Sequence, residues 1–362
     1  MPNITLPGGY YFIAGNQNDT ITVYGDGTVF AGNGKDSITI QGNGDVTVGS
    51  GNDTVIIQGF EGSIAAFGKG NDSLTLLGSG TVDVRLNSGN DTISIGQSGT
   101  VYAGKGNDTI SITNNGFVSA GGGTDSITMG SGAVSVGSGN DTIKIAGNGN
   151  VTAGHGHDSI SLGGSGAVSI VGGGYDTITF GSGSDTLFTA GHATVTGPFG
   201  SATVVGGTTG GQFVFKGSGQ FVEDAVSGRA TLAAGSGPTD LIAGSGPVTM
   251  VGGSGQDVYQ GGSASDVFVG GSGTATMTGG IVKNVYEFLA SAAGGHDVIN
   301  NFVHGRDKLY LEGQTLAYWK GQGDVKAVGG NTVITLDGGH TTITLAGYTN
   351  LRATDVTTTK PY

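Results

Sequence analysis

The chain has 362 residues and a formal net charge of −13, an acidic balance that argues against nucleic acid or an anionic membrane as partner. It contains no cysteine, which excludes disulfides and thiolate metal sites. Glycine accounts for 77 residues and proline for 6, without the every-third-residue spacing of collagen and with Val, Ile and Leu recurring at strand spacing, unlike a disordered low-complexity chain.

The first residues, MPNITLPGGYYFIAG, have no basic n-region and no long apolar run, so they do not read as a secretory signal peptide. No later stretch approaches the roughly 20 apolar residues of a membrane-spanning helix. Residues 1–14, with the apolar run Tyr10-Tyr11-Phe12-Ile13, are expected to form an N-terminal cap, because a stacked repeat needs its open end covered.

Residues 15–189 form a regular array. The unit is GKGNDTISI at Gly104, with close copies such as GSGNDTVII at Gly49, GSGNDTIKI at Gly137 and GHGHDSISL at Gly154. The aspartates are Asp19, Asp36, Asp53, Asp72, Asp91, Asp108, Asp125, Asp141, Asp158 and Asp176, with gaps of 17, 17, 19, 19, 17, 17, 16, 17 and 18. Spacing this regular marks one structural unit repeated along an axis. After each aspartate comes an alternating strand, such as TISI. A glycine-rich turn without aspartate and a second strand, such as SGTVYA, complete the unit. Alternation sends Ile110 and Ile112 one way and Thr109 and Ser111 the other. The expected fold is all-β: a parallel β-roll, or β-solenoid, of ~17–18-residue two-strand coils stacked about 4.8 Å apart.

Residues 190–250 lose the aspartates but keep the strand-and-glycine texture, and are expected to continue the roll irregularly with few metal sites. Residues 251–280 return to nine-residue units, VGGSGQDVY and QGGSASDVF. Asp257 and Asp266 are nine apart, like Asp176 and Asp185; in a two-sided coil that step leads to the opposite turn. In residues 281–362 aromatic and charged residues rise and the single tryptophan, Trp319, appears. A β-rich C-terminal cap is expected there, with a short helix around 286–292.

A carboxylate at the same corner of every coil faces its copies, and a row of like charges opposes folding unless it is compensated. Removing the ten ranked aspartates would leave a net charge of −3, so the acidity sits at one repeated position. Calcium takes 6–8 oxygen ligands at flexible angles, whereas magnesium wants strict octahedral geometry and zinc prefers N and S donors. The expected ligands are the ten ranked aspartates with Asp185, Asp257 and Asp266, plus backbone carbonyls of Gly51, Gly70, Gly89, Gly106, Gly123, Gly139, Gly156 and Gly174. The competing reading is an Asx-turn copied by duplication, with no metal.

The motifs resemble the repeats-in-toxin (RTX) family of calcium-binding β-rolls, built on G-G-x-G-x-D-x-U-x. Residues 15–189 and 251–269 carry the pattern, and the longer xGxGND unit is similar to the extender repeats of giant bacterial adhesins. The tail, HDVINNFVHGRDKLYLEG with TVITLDGGHTTITLAG, resembles the C-terminal secretion region of the family. The resemblance implies export, unfolded, through a type I ABC transporter, and folding on calcium outside the cell. The second half-turn mostly lacks aspartate, so mainly one calcium row is expected.

Thr54, Thr92, Ser94, Thr109, Ser111, Ser126 and Thr128 belong to two outward ranks that could hold ice, glycans or an identical sheet, or could simply be a solvated strand face. Ile56 and Lys144 interrupt one rank. The asparagines of the GND turns, among them Asn52, Asn71, Asn90, Asn107 and Asn140, are expected to form a hydrogen-bonded ladder. His155 and His157 are more readily drift than a metal pair. Catalysis finds little support: there is no G-x-S-x-G elbow, no H-E-x-x-H and no phosphate loop before a helix. The expectation is a secreted, non-enzymatic structural or adhesive protein that associates with itself or with surface glycans. The alternatives are an ice- or carbohydrate-binding module, and an enzyme with an unfamiliar site in 190–362 involving Tyr318, Trp319 and the nearby histidines.

Overall fold

Period-two alternation decides which side chains are buried, and glycine decides how closely the coils stack. In the computed structural model the chain is nearly all β, with 53% strand and 5% helix, wound as a parallel β-solenoid of about 15 coils with a repeat of about 17 residues. The structure describes residues 3–59, 64–78, 82–197, 201–206, 212–217, 220–224, 229–292 and 294–361. They form two compact units, Met1–Asp176 and Thr177–Tyr362.

In the first unit each coil gives one strand to each of two parallel ladders. Thr92–Ile95 lies between Ser73–Leu76 and Thr109–Ala120, with Thr92 opposite Thr109 and Ile93 opposite Ile110. On the second ladder Gly99–Gly104 lies between Val82–Arg85 and the later half of Thr109–Ala120. Every second residue turns inward. Ile93, Ile95, Val101, Ala103, Ile110, Ile112, Val118 and Ala120 are all buried, and burying each larger aliphatic side chain contributes about 1.5–3 kcal/mol. The two 19-residue intervals each carry two extra residues between the first and second strands of their coil, after Ile57 and after Leu76, since register is kept in the strands on both sides. Residues 60–63 and 79–81 lie outside the described residues.

Residues 3–13 are not a cover. Asn3–Pro7 and Tyr10–Ile13 pair in register with Thr20–Tyr24 and Gly27–Phe30, so the segment expected as a cap is an ordinary first coil. Its inward residues Ile4, Leu6 and Phe12 are half-buried over the fully buried Ile21, Val23 and Val29 of the next coil, while Tyr11 and Ile13 face outward and are each 65% exposed.

In the second unit the roll runs through the aspartate-poor stretch. Ser184–Thr189 pairs with Ser201–Gly206, His192–Gly197 with Gln212–Gly217, and Ala230–Ala233 with Val248–Val251, all parallel. Further on, larger side chains fill the interior: Tyr259, Phe268, Tyr286 and Phe288 are buried, and the rings of Phe268 and Tyr286 stack 4.9 Å apart. The C-terminal segment is β-rich as expected. Val325–Val328, Asn331–Leu336 and Thr341–Leu345 form an antiparallel meander, and its last strand adds parallel to His296–Asn300. The helix expected around 286–292 is instead the strand Val285–Phe288 followed by a 3-10 turn at Ala290–Ala292. Tyr286 and Phe288 are claimed by the core, at strand period. The α-helix is Leu316–Gln322, capped by the Thr315 side chain and stopped by Gly323 at φ 81°. It buries Leu316 and Trp319.

Coil spacing depends on the glycine two residues before each ranked aspartate from Asp36 on. Gly106 has φ 142°, which side-chain-bearing residues rarely adopt, and a Cβ there would lie 1.6 Å from the carbonyl oxygen of Gly89. Gly173 has no atom within 4 Å of a Cβ position. Gly106→Ala is therefore expected to lower stability by at least the ~1–3 kcal/mol of an overpacked site, and Gly173→Ala to change it by less than about 0.5 kcal/mol, both measured by urea denaturation.

Candidate metal-binding edge

Asp108 stands two residues before Ile110 on the same strand phase, so its side chain turns inward with the core. The whole rank behaves alike: from Asp19 to Asp176, no member is more than 4% exposed. The carboxylates form a file inside one edge of the roll, beneath the glycine turns.

One oxygen of each carboxylate in the file beyond Asp19 is engaged. The Asp19 N–H donates to Oδ1 of Asp36 at 2.9 Å, and the same bond recurs at 2.8–2.9 Å through to Asp158 and Asp176. The backbone carbonyls of Asp19 through Asp141 accept from the first strand residue one coil on, as when the Thr109 N–H donates to Asp91 at 2.8 Å. The other oxygen is left over. Oδ2 of Asp36, Asp53, Asp72, Asp91, Asp108, Asp125, Asp141, Asp158 and Asp176 is buried without a hydrogen-bond partner. A buried polar atom with no partner costs about 1–3 kcal/mol, and more when charged.

The turn supplies further oxygens. No N–H among the described residues donates to the carbonyls of Gly51, Gly70, Gly89, Gly106, Gly123, Gly139 or Gly156. Each of the first six packs against the Cα of the matching glycine one coil on, and Gly174 repeats the arrangement over Gly156. Among the described residues no three His, Cys, Asp or Glu side chains converge on one point. Any cation in this edge would therefore draw on single-file carboxylates and turn carbonyls. An all-oxygen set of that kind suits a hard, flexible ion such as calcium.

The asparagine ladder is present and runs in the opposite sense. The Asn71 N–H donates to Oδ1 of Asn52, that of Asn90 to Asn71, and that of Asn107 to Asn90, at 2.8–2.9 Å. Aspartates thus accept from the coil before, and asparagines from the coil after. His157 takes an asparagine position: its own N–H donates to Asn140, and its Nδ1 accepts the Tyr175 N–H at 3.1 Å. His155 accepts from Gly173 in the same way. Both histidines are ladder members rather than a pair converging on a metal.

In the second unit the nine-residue step crosses between ladders as expected. Asp257 lies in Gln256–Gln260, which pairs with Thr239–Ile242, whereas Asp266 leads Val267–Val269 onto the ladder of Val248–Val251. Asp185 pairs opposite Ala202. Oδ1 of Asp257 is buried without a partner, while Oδ2 accepts the Tyr259 hydroxyl at 3.1 Å. Both oxygens of Asp266 accept N–H groups, from Val248 and Gly262. Sequence reasoning missed Asp297, whose Oδ2 is also buried and unpartnered. That atom and the carbonyl oxygens of Gly271 and Gly273 all lie within 3.1 Å of where a Gly295 Cβ would be. The dipeptide Gly294-Gly295 before His296-Asp297 was the available signal, hidden by the change in composition around it.

The outward hydroxyls line up in the expected ranks. Thr92, Thr109, Ser126 and Thr142 are successive neighbours in one, and Ser94, Ser111, Thr128 and Lys144 in the other. Thr92, Ser94, Thr109, Ser111, Ser126 and Thr128 are exposed, and Thr54 is half-buried.

Desolvation dominates the electrostatics of the file. Burial pushes Asp53, Asp125 and Asp141 up to about 6 and Asp91 to about 7; the N–H from the preceding coil offsets part of this, and neighbouring aspartates add to it. Asp36, Asp72, Asp108, Asp158 and Asp176 are raised for the same leading reason. In the second unit Asp297 is pushed to about 7 by burial, with the charge of Asp257 contributing.

A carboxyl raised in the folded state binds more protons folded than unfolded, so it favours folding at low pH, and that contribution is lost as pH rises. In chelator, the melting temperature is therefore expected to be highest near pH 4 and to fall as pH passes through about 6–7. Thermal melts across that range check this, and a melting temperature that rises with pH would contradict it. Set against known proteins, the chain matches no family model and no curated protein.

Proposed function

We propose that this chain is a calcium-dependent β-roll of the repeats-in-toxin kind, exported by a type I secretion channel and folded outside the cell, where it serves as a structural or adhesive surface protein. The observation that carries the reading is the file of buried Oδ2 atoms. They are acceptors without donors, one per coil from Asp36 to Asp176, in turns whose carbonyls no N–H among the described residues claims. A divalent cation between coils supplies the missing positive charge, and folding is then coupled to loading. The acidic balance and the absence of cysteine agree with an extracellular setting. The exposed Thr/Ser ranks support a second reading, a flat face for ice, carbohydrate or another copy of the sheet, although Lys144 breaks its regularity.

Binding energy is folding energy in such a system. Thoroughly chelated protein at pH 7.5 is expected to have weak β circular dichroism, regained on adding millimolar calcium but not equimolar magnesium. A full β spectrum in chelator would sink the proposal. The double substitution Asp91→Asn with Asp108→Asn keeps the Oδ1 acceptors and removes two buried charges. In chelator at pH 7.5 it should keep more β signal than the parent, while gaining less from calcium. Purely structural aspartates would give lower stability and an unchanged calcium response.

A further inference from the structure

We propose that the outer face of the second ladder in the first unit carries a platform for a neutral glycan, centred on Tyr102 and Phe117. The inference deepens the adhesive reading by giving it a ligand, on the face opposite the Thr/Ser ranks. Two outward files cross the platform: Asp83, Thr100 and Phe117 in one, and Arg85, Tyr102 and Ser119 in the other. Tyr102 is 42% exposed and Phe117 38%, and their rings lie 5.9 Å apart at 57°. The Arg85 guanidinium sits over the Tyr102 ring at 5.9 Å. It is held there by a forked bond to Asp83, Nε at 3.3 Å and a terminal nitrogen at 2.9 Å.

Beside Phe117 opens a hollow of about 650 Å³ with Asn115, Ser131, Asn148 and Asn150 on its walls. Asn148 and Asn150 each accept a backbone N–H from the following coil through Oδ1, which leaves their amide nitrogens as donors. The surface thus joins two partly exposed aromatic rings, a carboxylate–guanidinium fork and a set of amides and hydroxyls.

A cross-strand aromatic pair strengthens a sheet by about 0.2–1 kcal/mol, but sheet stability alone does not call for a polar hollow and an ion-pair fork beside the rings. Pyranose rings offer the complement: C–H faces that stack on aromatic rings, and hydroxyls that both donate and accept. Coils rise about 4.8 Å, close to the length of one sugar ring, so a linear glycan along the roll would pass about one residue of each file per sugar. The net charge of −13 disfavours a polyanion, which selects neutral sugars over uronates or sulfated chains.

The test uses the full chain, folded in calcium and checked by circular dichroism, with calorimetric titration of neutral β-linked glucose and N-acetylglucosamine oligomers and a polyuronate of equal length. At least one neutral oligomer is expected to bind, the polyuronate at least tenfold more weakly. Tyr102→Ala and Phe117→Ala should each weaken the neutral ligand at least tenfold. Tyr24→Ala, removing an aromatic that is 56% exposed outside the platform, should change it less than twofold. No binding by the folded parent, equal binding of the polyuronate, or undiminished binding by both platform variants would overturn the proposal. A chain that folds without calcium yet binds the oligomer would overturn the calcium reading and leave this one standing.

Discussion

One inward carboxylate per coil is the constraint on which the first unit turns. A coil such as that of Asp108 buries Ile110, Ile112, Val118 and Ala120, worth about 1.5–3 kcal/mol for each larger side chain. An ionised carboxylate taken out of water costs several kcal/mol unless it is paired. The two quantities are of the same order, so an uncompensated file would cancel much of what the core contributes. Proton or cation must neutralise it, and at neutral pH groups raised to about 6 are largely ionised and Asp91, raised to about 7, is about half ionised. The proposed neutraliser is a divalent cation, which an all-oxygen edge suits.

The same carboxylates also fix register. Each Oδ1 is tied to the N–H of the coil before, while each turn asparagine is tied to the coil after. A slip by one residue would break both ladders and turn every Ile outward. Glycine completes the arrangement: the carbonyl of Gly89 occupies the space a side chain on residue 106 would need. Close stacking, register and the oxygen-lined edge are thus consequences of one xGxGND turn.

Much of this was legible from spacing. The 16- to 19-residue interval between aspartates fixes the coil length, alternation fixes which residues are inside, and the nine-residue step correctly sends Asp257 and Asp266 to different ladders. What was not legible has physical reasons. The N-terminal run reads as a cap because Tyr10-Tyr11-Phe12-Ile13 is apolar, yet pairing in register makes it an ordinary coil. Around 286–292 local composition suits a helix, but Tyr286 and Phe288 serve a core with strand period. The division of labour within each carboxylate, one oxygen bonded and one left over, depends on how neighbouring coils meet, and no single repeat contains it. Asp297 escaped notice because the segment before it breaks the glycine rhythm.

The most direct measurement is a crystal structure grown at neutral pH in calcium, with anomalous scattering used to locate the ions. A row of calcium peaks is expected inside the aspartate edge, one between successive coils, each within bonding distance of an Oδ2 from the file and of turn carbonyls. A well-ordered roll with no peaks along that edge, its carboxyls protonated instead, would contradict it.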